Sequence, residues 1–268
     1  MGGLRLSVEH MTVLGLDPCA IIDVGEQVGV RHVSLILDAG SYRLPHKSFL
    51  EHPYLIAEAV SRLRSSPVRI HAAEGFLLDG ERGLDRHKRL LEIAARLGVE
   101  RCVVMITDGD LSRATDDFDQ LCDMAQPLGL SMSLEFVATT HVSSLADAVQ
   151  IVRSCGRPSA RVSADILHLV RSGGSPEDLR ATDIPFGAAQ LCDGPLVLPR
   201  AQWAEEALRG RRQPGDGQFP IQAFLDVLPD DLIVGLEVPM GIVDSVPAGV
   251  AIARHGIAAA RRLTDRFA

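Results

Sequence analysis

Eight short runs of β-branched or apolar residues, separated by longer amphipathic stretches, organise this chain and leave few folds open to it. The runs are Leu4 to Val8, His32 to Leu37, Val68 to His71, Arg101 to Ile106, Ser131 to Phe136, Ala160 to Ala164, Phe186 to Leu191 and Leu232 to Val238. Between them lie helical patterns such as GLDRHKRLLEIAARLG, in which Leu84, His87, Leu91, Ile93, Ala94 and Leu97 recur at roughly helical spacing. Gly29, Gly98, Gly129 and Gly156 each close such a stretch a few residues before a run, as left-handed C-caps would. Repeated βα units predict a parallel sheet with helices outside it, and eight units predict a closed (β/α)8 TIM barrel. A doubly wound open sheet shares the alternation. It normally carries a glycine-rich phosphate loop after its first strand, and the residues after Val8 (EHMTVLGLDP) show no GxGxxG or GxxxxGK.

With 268 residues, 46% of them hydrophobic, and no Pro/Gly/Ser-rich linker in the middle, residues 1–268 are expected to form one domain. Lys and Arg number 27 against 35 Asp and Glu, a net charge of -8, so nucleic acid is not an expected partner. The five cysteines are widely spaced without a CxxC pair, which argues against a disulfide framework or zinc ribbon and suits a reducing cytoplasm. No signal segment or run of eighteen uncharged apolar residues is present, so neither export nor a membrane is expected. The expected partners are a small-molecule substrate and, compatible with the sequence, further copies of the chain in a homo-oligomer.

Barrel enzymes draw their reacting groups from the C-terminal ends of strands. Four consecutive runs carry a potential metal ligand there: Glu135 in SMSLEF, Asp165 after ARVSA, Gln190 in GAAQLCD and Glu237 in LIVGLEV. One acidic residue after an apolar strand is ordinarily a loop cap or the partner of an arginine. Glu135 and Glu237, however, sit inside apolar runs, where a lone carboxylate is costly to bury without a cation or donors. Carboxylates with one amide oxygen form a hard site suited to Mg2+, Mn2+ or Co2+.

These positions resemble those of the xylose-isomerase-like barrel superfamily of sugar isomerases, epimerases and dehydratases, over roughly residues 130 to 240. The resemblance lies in the D-x-x-H of ADILH, the Q-L-x-D of QLCDG, the R-x-P-G-x-G of RQPGDG and the final L-E-V-P. It implies one divalent metal held by Glu135, Asp165, Gln190 and Glu237. Many members have His where this chain has Gln190; hydroxypyruvate isomerases and bacterial 3-dehydroshikimate dehydratases are similar in using Gln there.

Further candidates surround that set. His168 is placed to hydrogen-bond a substrate oxygen beside the metal, and His71 is expected at the mouth as the end of the third strand; the alternative for each is a structural donor or strand cap. His141, in the loop after Glu135, resembles a substrate-orienting position. Arg212, before PGDG, is a candidate clamp for an oxyanion, with Arg209 and Arg211 competing for the role. Asp193 is a supporting residue that orients a ligand or binds Arg212. His46 and Lys47, after the second strand, are not distinguishable from ordinary surface residues.

The expectation is a metal-dependent isomerase or epimerase of a small polyhydroxy carbonyl compound, working through a metal-stabilised enediolate with Glu135 and Glu237 moving the proton. A lyase of the 3-dehydroshikimate dehydratase type shares the first step. Such relatives place a catalytic His two residues after the first Glu, and this chain has Val137 there. The endonuclease-like branch needs a histidine cluster for three zinc ions, which this chain lacks. A non-catalytic sugar-binding barrel is the last alternative.

Overall fold

A computed structural model of the chain describes residues 4–265. Eight parallel strands close on one another in sequence order: β1 (Leu6–Val8), β2 (His32–Ile36), β3 (Arg69–Leu78), β4 (Arg101–Ile106), β5 (Ser131–Glu135), β6 (Ala160–Asp165), β7 (Phe186–Leu191) and β8 (Val234–Leu236). The ring is completed by β1 against β8, where Ser7 pairs with Gly235. This is the (β/α)8 barrel that the alternation predicts.

Strand periodicity divides each strand between two environments. Outward residues such as Val104, Leu134 and Val162 join Leu91, Phe118 and Ile257 from the surrounding helices in one continuous core. Each such side chain contributes about 1.5–3 kcal/mol by leaving water. Inside the barrel the apolar filling is small: Ala72, Val103 and Ala188 form a separate cluster. Much of the remaining interior is polar, with Ser7, Glu9, Ser34, His71, Ser133 and Ser163 all buried. A barrel interior normally consists of layers of branched aliphatic residues. Here the upper layers are committed to hydrogen bonding and charge.

The helix ends follow the expected punctuation. Gly29, Gly98, Gly129 and Gly156 all have φ between 64° and 81°, in the left-handed region.

The third strand departs from expectation. It extends seven residues beyond His71, to Leu78, and carries register shifts between Val33 and Ser34 of its β2 partner and between Ala73 and Phe76. The sequence HAAEGF reads as a strand end because Glu and Gly interrupt the apolar run. The bulge absorbs both residues and the strand continues.

A candidate metal and substrate site at the barrel mouth

The β5–β6–β7 register brings three of the predicted residues to the same end of the barrel. Glu135 pairs with Ser163 across β5 and β6, and Asp165 pairs with Gln190 across β6 and β7. Glu237 lies one residue beyond β8, its backbone N–H donating to Leu191 O at 3.0 Å. Asp165, Gln190 and Glu237 are buried, whereas Glu135 is partly exposed to the mouth. His168 stands on the first turn after β6 with its Nε2 3.9 Å from Asp165 Oδ2. One potential ligand atom each from Glu135, Asp165 and His168 lie within 4.8 Å of one another, a grouping able to hold a metal ion.

The charge balance of the mouth is unusual. Besides these groups it contains Glu74, with Glu9 buried beside His71 in the interior, neither of them among the sequence candidates, and one buried guanidinium, that of Arg211. Arg211 donates through Nη1 to Asp165 Oδ2 at 2.7 Å, and its Nη2 lies 3.0 Å from Glu237 Oε1. Burial raises the Glu135 carboxyl well above the usual range, and neighbouring Glu237 and Asp165 push it further. Burial likewise raises Glu237 well above that range, against the opposing pull of Arg211. The Glu74 carboxyl is pushed up to about 8 by burial and by the Glu9 charge. Glu9 differs: burial opposes its ionisation, but His71, with hydrogen bonds from His71, Ser34 and Ser7, outweighs that and holds it low. Burial pushes His168 down to about 4, so its imidazole is neutral and one ring nitrogen offers a lone pair. His168 Nδ1 has no hydrogen-bond partner among the described residues.

This donor set fits a divalent ion. Clustered carboxylates with a neutral imidazole and only one cation among them carry uncompensated negative charge in a recessed site. Gln190 Oε1 accepts from Ser163 Oγ at 3.0 Å. A serine hydroxyl also accepts, so an amide turned over keeps that bond through Nε2 and frees its oxygen for a cation.

Two loops build the walls. Asp193 is buried and accepts from the backbone N–H groups of Gly194, Gly215, Gly217 and Phe219 at 2.8–3.0 Å. Its own backbone forms an antiparallel bridge with Arg212. Neighbouring residues of an extended segment face opposite ways. The bridge therefore leaves Arg212 exposed and turns Arg211 inward. Arg171, also buried, donates to both Glu206 carboxylate oxygens at 2.6 Å and to the Pro195 and Leu196 carbonyls, anchoring the helical segment after β7. That segment supplies Ala204, Ala207 and Leu208 to the mouth.

Glu74, Glu135, His168, Arg211 and Glu237 line a cavity of about 380 Å3 at this end of the barrel. A larger cleft of about 870 Å3 opens at the opposite end, among Arg101, Ser131, Arg161 and Phe186 at the strand starts, away from the carboxylates. Catalytic groups of (β/α)8 barrels gather at the C-terminal face, so the smaller cavity is the candidate site.

Several expected positions are corrected. His71 is the third residue of β3 and lies in the barrel interior below the mouth, its Nε2 2.9 Å from Ser7 Oγ and 3.1 Å from Glu9 Oε1. His141 is exposed and sits by Gly109, outside the cavity, whose wall in that loop is Val137, Thr139 and Thr140. Arg212 points away from the cavity, and Arg211 occupies the inward place assigned to it. Asp193 contacts loop amides rather than substrate space. His46 is buried rather than superficial, its ring 4.3 Å from that of His10, and burial drives it down to about 2. Lys47 pairs with Asp17 at 2.8 Å. Glu9 had a signal in the sequence, since it follows the first strand directly. Glu74 had none, because the bulge that places it is not written in the alternation.

Fold and site together define a closed (β/α)8 barrel with an acidic C-terminal mouth of a kind able to hold a metal ion. The chain belongs to the xylose isomerase-like TIM barrel family, whose sequence pattern matches residues 26–263. A structure of the IolI protein with a bound zinc atom is similar at TM-score 0.79 and 17% identity, over 97% of this chain and 99% of that one. The probable 3-DHS dehydratase AsbF of Bacillus anthracis, involved in petrobactin synthesis, is similar at TM-score 0.72 and 12% identity, over 98% of this chain and 100% of that one. D-psicose 3-epimerase, in the presence of D-fructose, matches at TM-score 0.71 and 15% identity, over 97% and 99%. Among curated proteins no sequence match is found. No helix among the described residues is long and apolar enough to cross a membrane.

Proposed function

We propose that the protein is a divalent-metal-dependent isomerase or epimerase of a small polyhydroxy carbonyl compound. The observation that carries this reading is the convergence of Glu135, Asp165, His168 and Glu237 on one mouth, where ligand atoms of the first three lie within 4.8 Å of one another and Arg211 is the buried cation beside Glu237. Glu135, Asp165 and Glu237, with Gln190 and His168, would hold the ion. The imidazole in this set moves the preference from Mg2+ toward Mn2+, Co2+ or zinc. When bound, such an ion supplies Lewis-acid polarisation of a carbonyl and stabilises negative charge developing on its oxygen.

The protein's own groups do the proton chemistry. Arg211 contacts Glu237 and favours its anion against the opposing effect of burial, and a bound divalent ion would favour it further, so that Glu237 would then be the base that takes a proton from the carbon beside the carbonyl. Glu135, whose charged form is opposed by Glu237 and Asp165, carries a proton and delivers it to the substrate. The neutral His168 offers a hydrogen bond to a substrate oxygen when it is not a ligand. The epimerase and dehydratase among the structural neighbours support chemistry of this type, and removal of a proton next to a carbonyl is the step those two outcomes share.

The test is turnover and metal content of Glu135→Gln and Glu237→Gln. Both variants should retain metal while turnover of D-psicose to D-fructose, or of related ketoses, falls by about 10²–10⁴. Retained turnover in both overturns the assignment. Unchanged product mass marks isomerisation; aromatic absorbance growing from 3-dehydroshikimate would mark a lyase instead.

A further inference from the structure

The bulge in β3 builds a second polar wall of the mouth. Gly75, at its centre, has φ +105°, and a Cβ there would lie 2.7 Å from the backbone nitrogen of Asp38. Glycine is thus required both by its conformation and by the space. Leaving the regular ladder releases the Gly75 N–H, which donates to the Tyr42 hydroxyl at 3.3 Å. Tyr42 is the last residue of a 3-10 turn, Ala39–Tyr42, that ends at Arg43 in the left-handed conformation. Arg43 is the one non-glycine residue with positive φ among the described residues. The turn and the bulge are therefore shaped to each other.

Both side chains they present line the cavity. The Glu74 Oε1 accepts from Ser34 Oγ at 2.7 Å, and no hydrogen bond to its second oxygen is formed by a described residue. Tyr42 already accepts from Gly75, and its own O–H proton has no acceptor among the described residues. One wall of the cavity thus offers a free phenolic donor and an unpaired carboxyl oxygen from adjoining elements, while Glu135, Glu237 and His168 also line the cavity. A hydroxyl group both donates and accepts, and it satisfies such a pair completely. A carboxylate or phosphate brings negative charge into a mouth already lined by Glu74, Glu135 and Glu237. Arg211, the one Lys or Arg lining the cavity among the described residues, already serves Asp165 and Glu237.

We propose that Tyr42 and Glu74 are specificity-determining residues that bind a substrate hydroxyl, so that the mouth selects an uncharged polyhydroxy compound over its carboxylated or phosphorylated counterpart. This rests on the reading that the mouth takes a polyhydroxy carbonyl compound, and binding is chosen as the readout so that it is decided apart from turnover. Calorimetry on the Mn2+-loaded full chain compares D-fructose with D-fructose 6-phosphate and D-gluconate for wild type, Tyr42→Phe and Glu74→Gln. Both substitutions keep the shape of the side chain, and melting temperature checks that each variant is folded.

Wild type should bind D-fructose and prefer it to both anions by more than tenfold. Tyr42→Phe should lose about five- to tenfold in D-fructose affinity, the worth of one hydrogen bond in a recessed site. Glu74→Gln should narrow the preference against the anions. This pattern supports the subsite even if D-fructose is not turned over, in which case the proposed reaction fails and the subsite stands. Equal affinity of wild type and folded Tyr42→Phe for D-fructose overturns it, as does tighter binding of either anion by wild type, or no binding of D-fructose at millimolar concentration.

Discussion

Arg211 Nη1 lies 2.7 Å from Asp165 Oδ2, joining two buried side chains 46 residues apart in sequence. The pair ties the loop after β7 to the end of β6 and places a fixed positive charge among carboxylates. Removing one partner of a buried pair leaves the other charge without compensation, which typically costs 3–5 kcal/mol. Arg211→Met should therefore lower the unfolding free energy of the metal-free protein by about 3 kcal/mol in chemical denaturation. Added Mn2+ should restore more stability to this variant than to wild type, because the ion supplies the charge that Arg211 no longer gives. Equal stabilisation of the two would show that ion and guanidinium do not share one field.

The raised carboxyls make stability depend on pH in a definite direction. Glu74 is pushed up to about 8, and Glu135 and Glu237 stand well above their ordinary value of 4.5. Between pH 4.5 and 8 the folded state keeps protons that the unfolded chain has released. Stability contributed by these groups is present at low pH and is lost as pH rises, at up to ~1.4 kcal/mol per pH unit for each group. The metal-free protein should therefore lose stability from pH 5.5 to 8, measured by denaturation at fixed ionic strength. Metal binding at pH 7 should release protons, seen as a calorimetric heat that changes with the ionisation enthalpy of the buffer. A flat pH profile with no proton release would show the carboxyls already ionised.

That Glu135, Asp165, Gln190 and Glu237 gather at one end of the barrel was legible because each lies in or directly after an apolar run, and parallel strands bring the ends of such runs to one face. Gln190 beside Asp165 follows from the β6–β7 pairing alone. What was not legible depends on local departures from that regularity. His71 fell at the apparent end of its strand, whereas the bulges carry β3 onward and leave it in the barrel interior. The choice between Arg211 and Arg212 turned on one residue of register, set by the bridge between Asp193 and Arg212. Periodicity counts residues; it does not show where one is skipped.

Gly75 and Gly129 separate two reasons for a glycine. Both have positive φ, but a Cβ on Gly129 would meet nothing within 4 Å, whereas one on Gly75 would strike the backbone of Asp38 at 2.7 Å. Gly129→Ala should cost about 1 kcal/mol, the conformational penalty alone. Gly75→Ala adds a collision with main chain that cannot rotate away, and should cost about 3 kcal/mol. Comparison of the two denaturation midpoints checks this. The Gly75 variant should also weaken D-fructose binding in the assay above, since the bulge that presents Glu74 and Tyr42 cannot keep its shape.

Asp193 provides the last test, because its carboxylate accepts four backbone N–H groups and holds the segment that turns Arg211 inward. Hydrogen bonds to a charged acceptor are worth about 1.5–3 kcal/mol each where buried donors would otherwise go unpaired, and shared acceptors add less than their sum. Asp193→Ala should therefore destabilise by about 3 kcal/mol, with Asp193→Asn intermediate, since its one carbonyl oxygen replaces part of the acceptor set. Hydrogen exchange should rise at Gly215, Gly217 and Phe219 in both variants while the β5 and β6 amides stay protected. Turnover should fall with the loosening of this segment, because Arg211 then no longer holds Asp165 and Glu237 in place. Unchanged exchange at those three amides in Asp193→Ala would mean that the bridge to Arg212 is sufficient without the carboxylate.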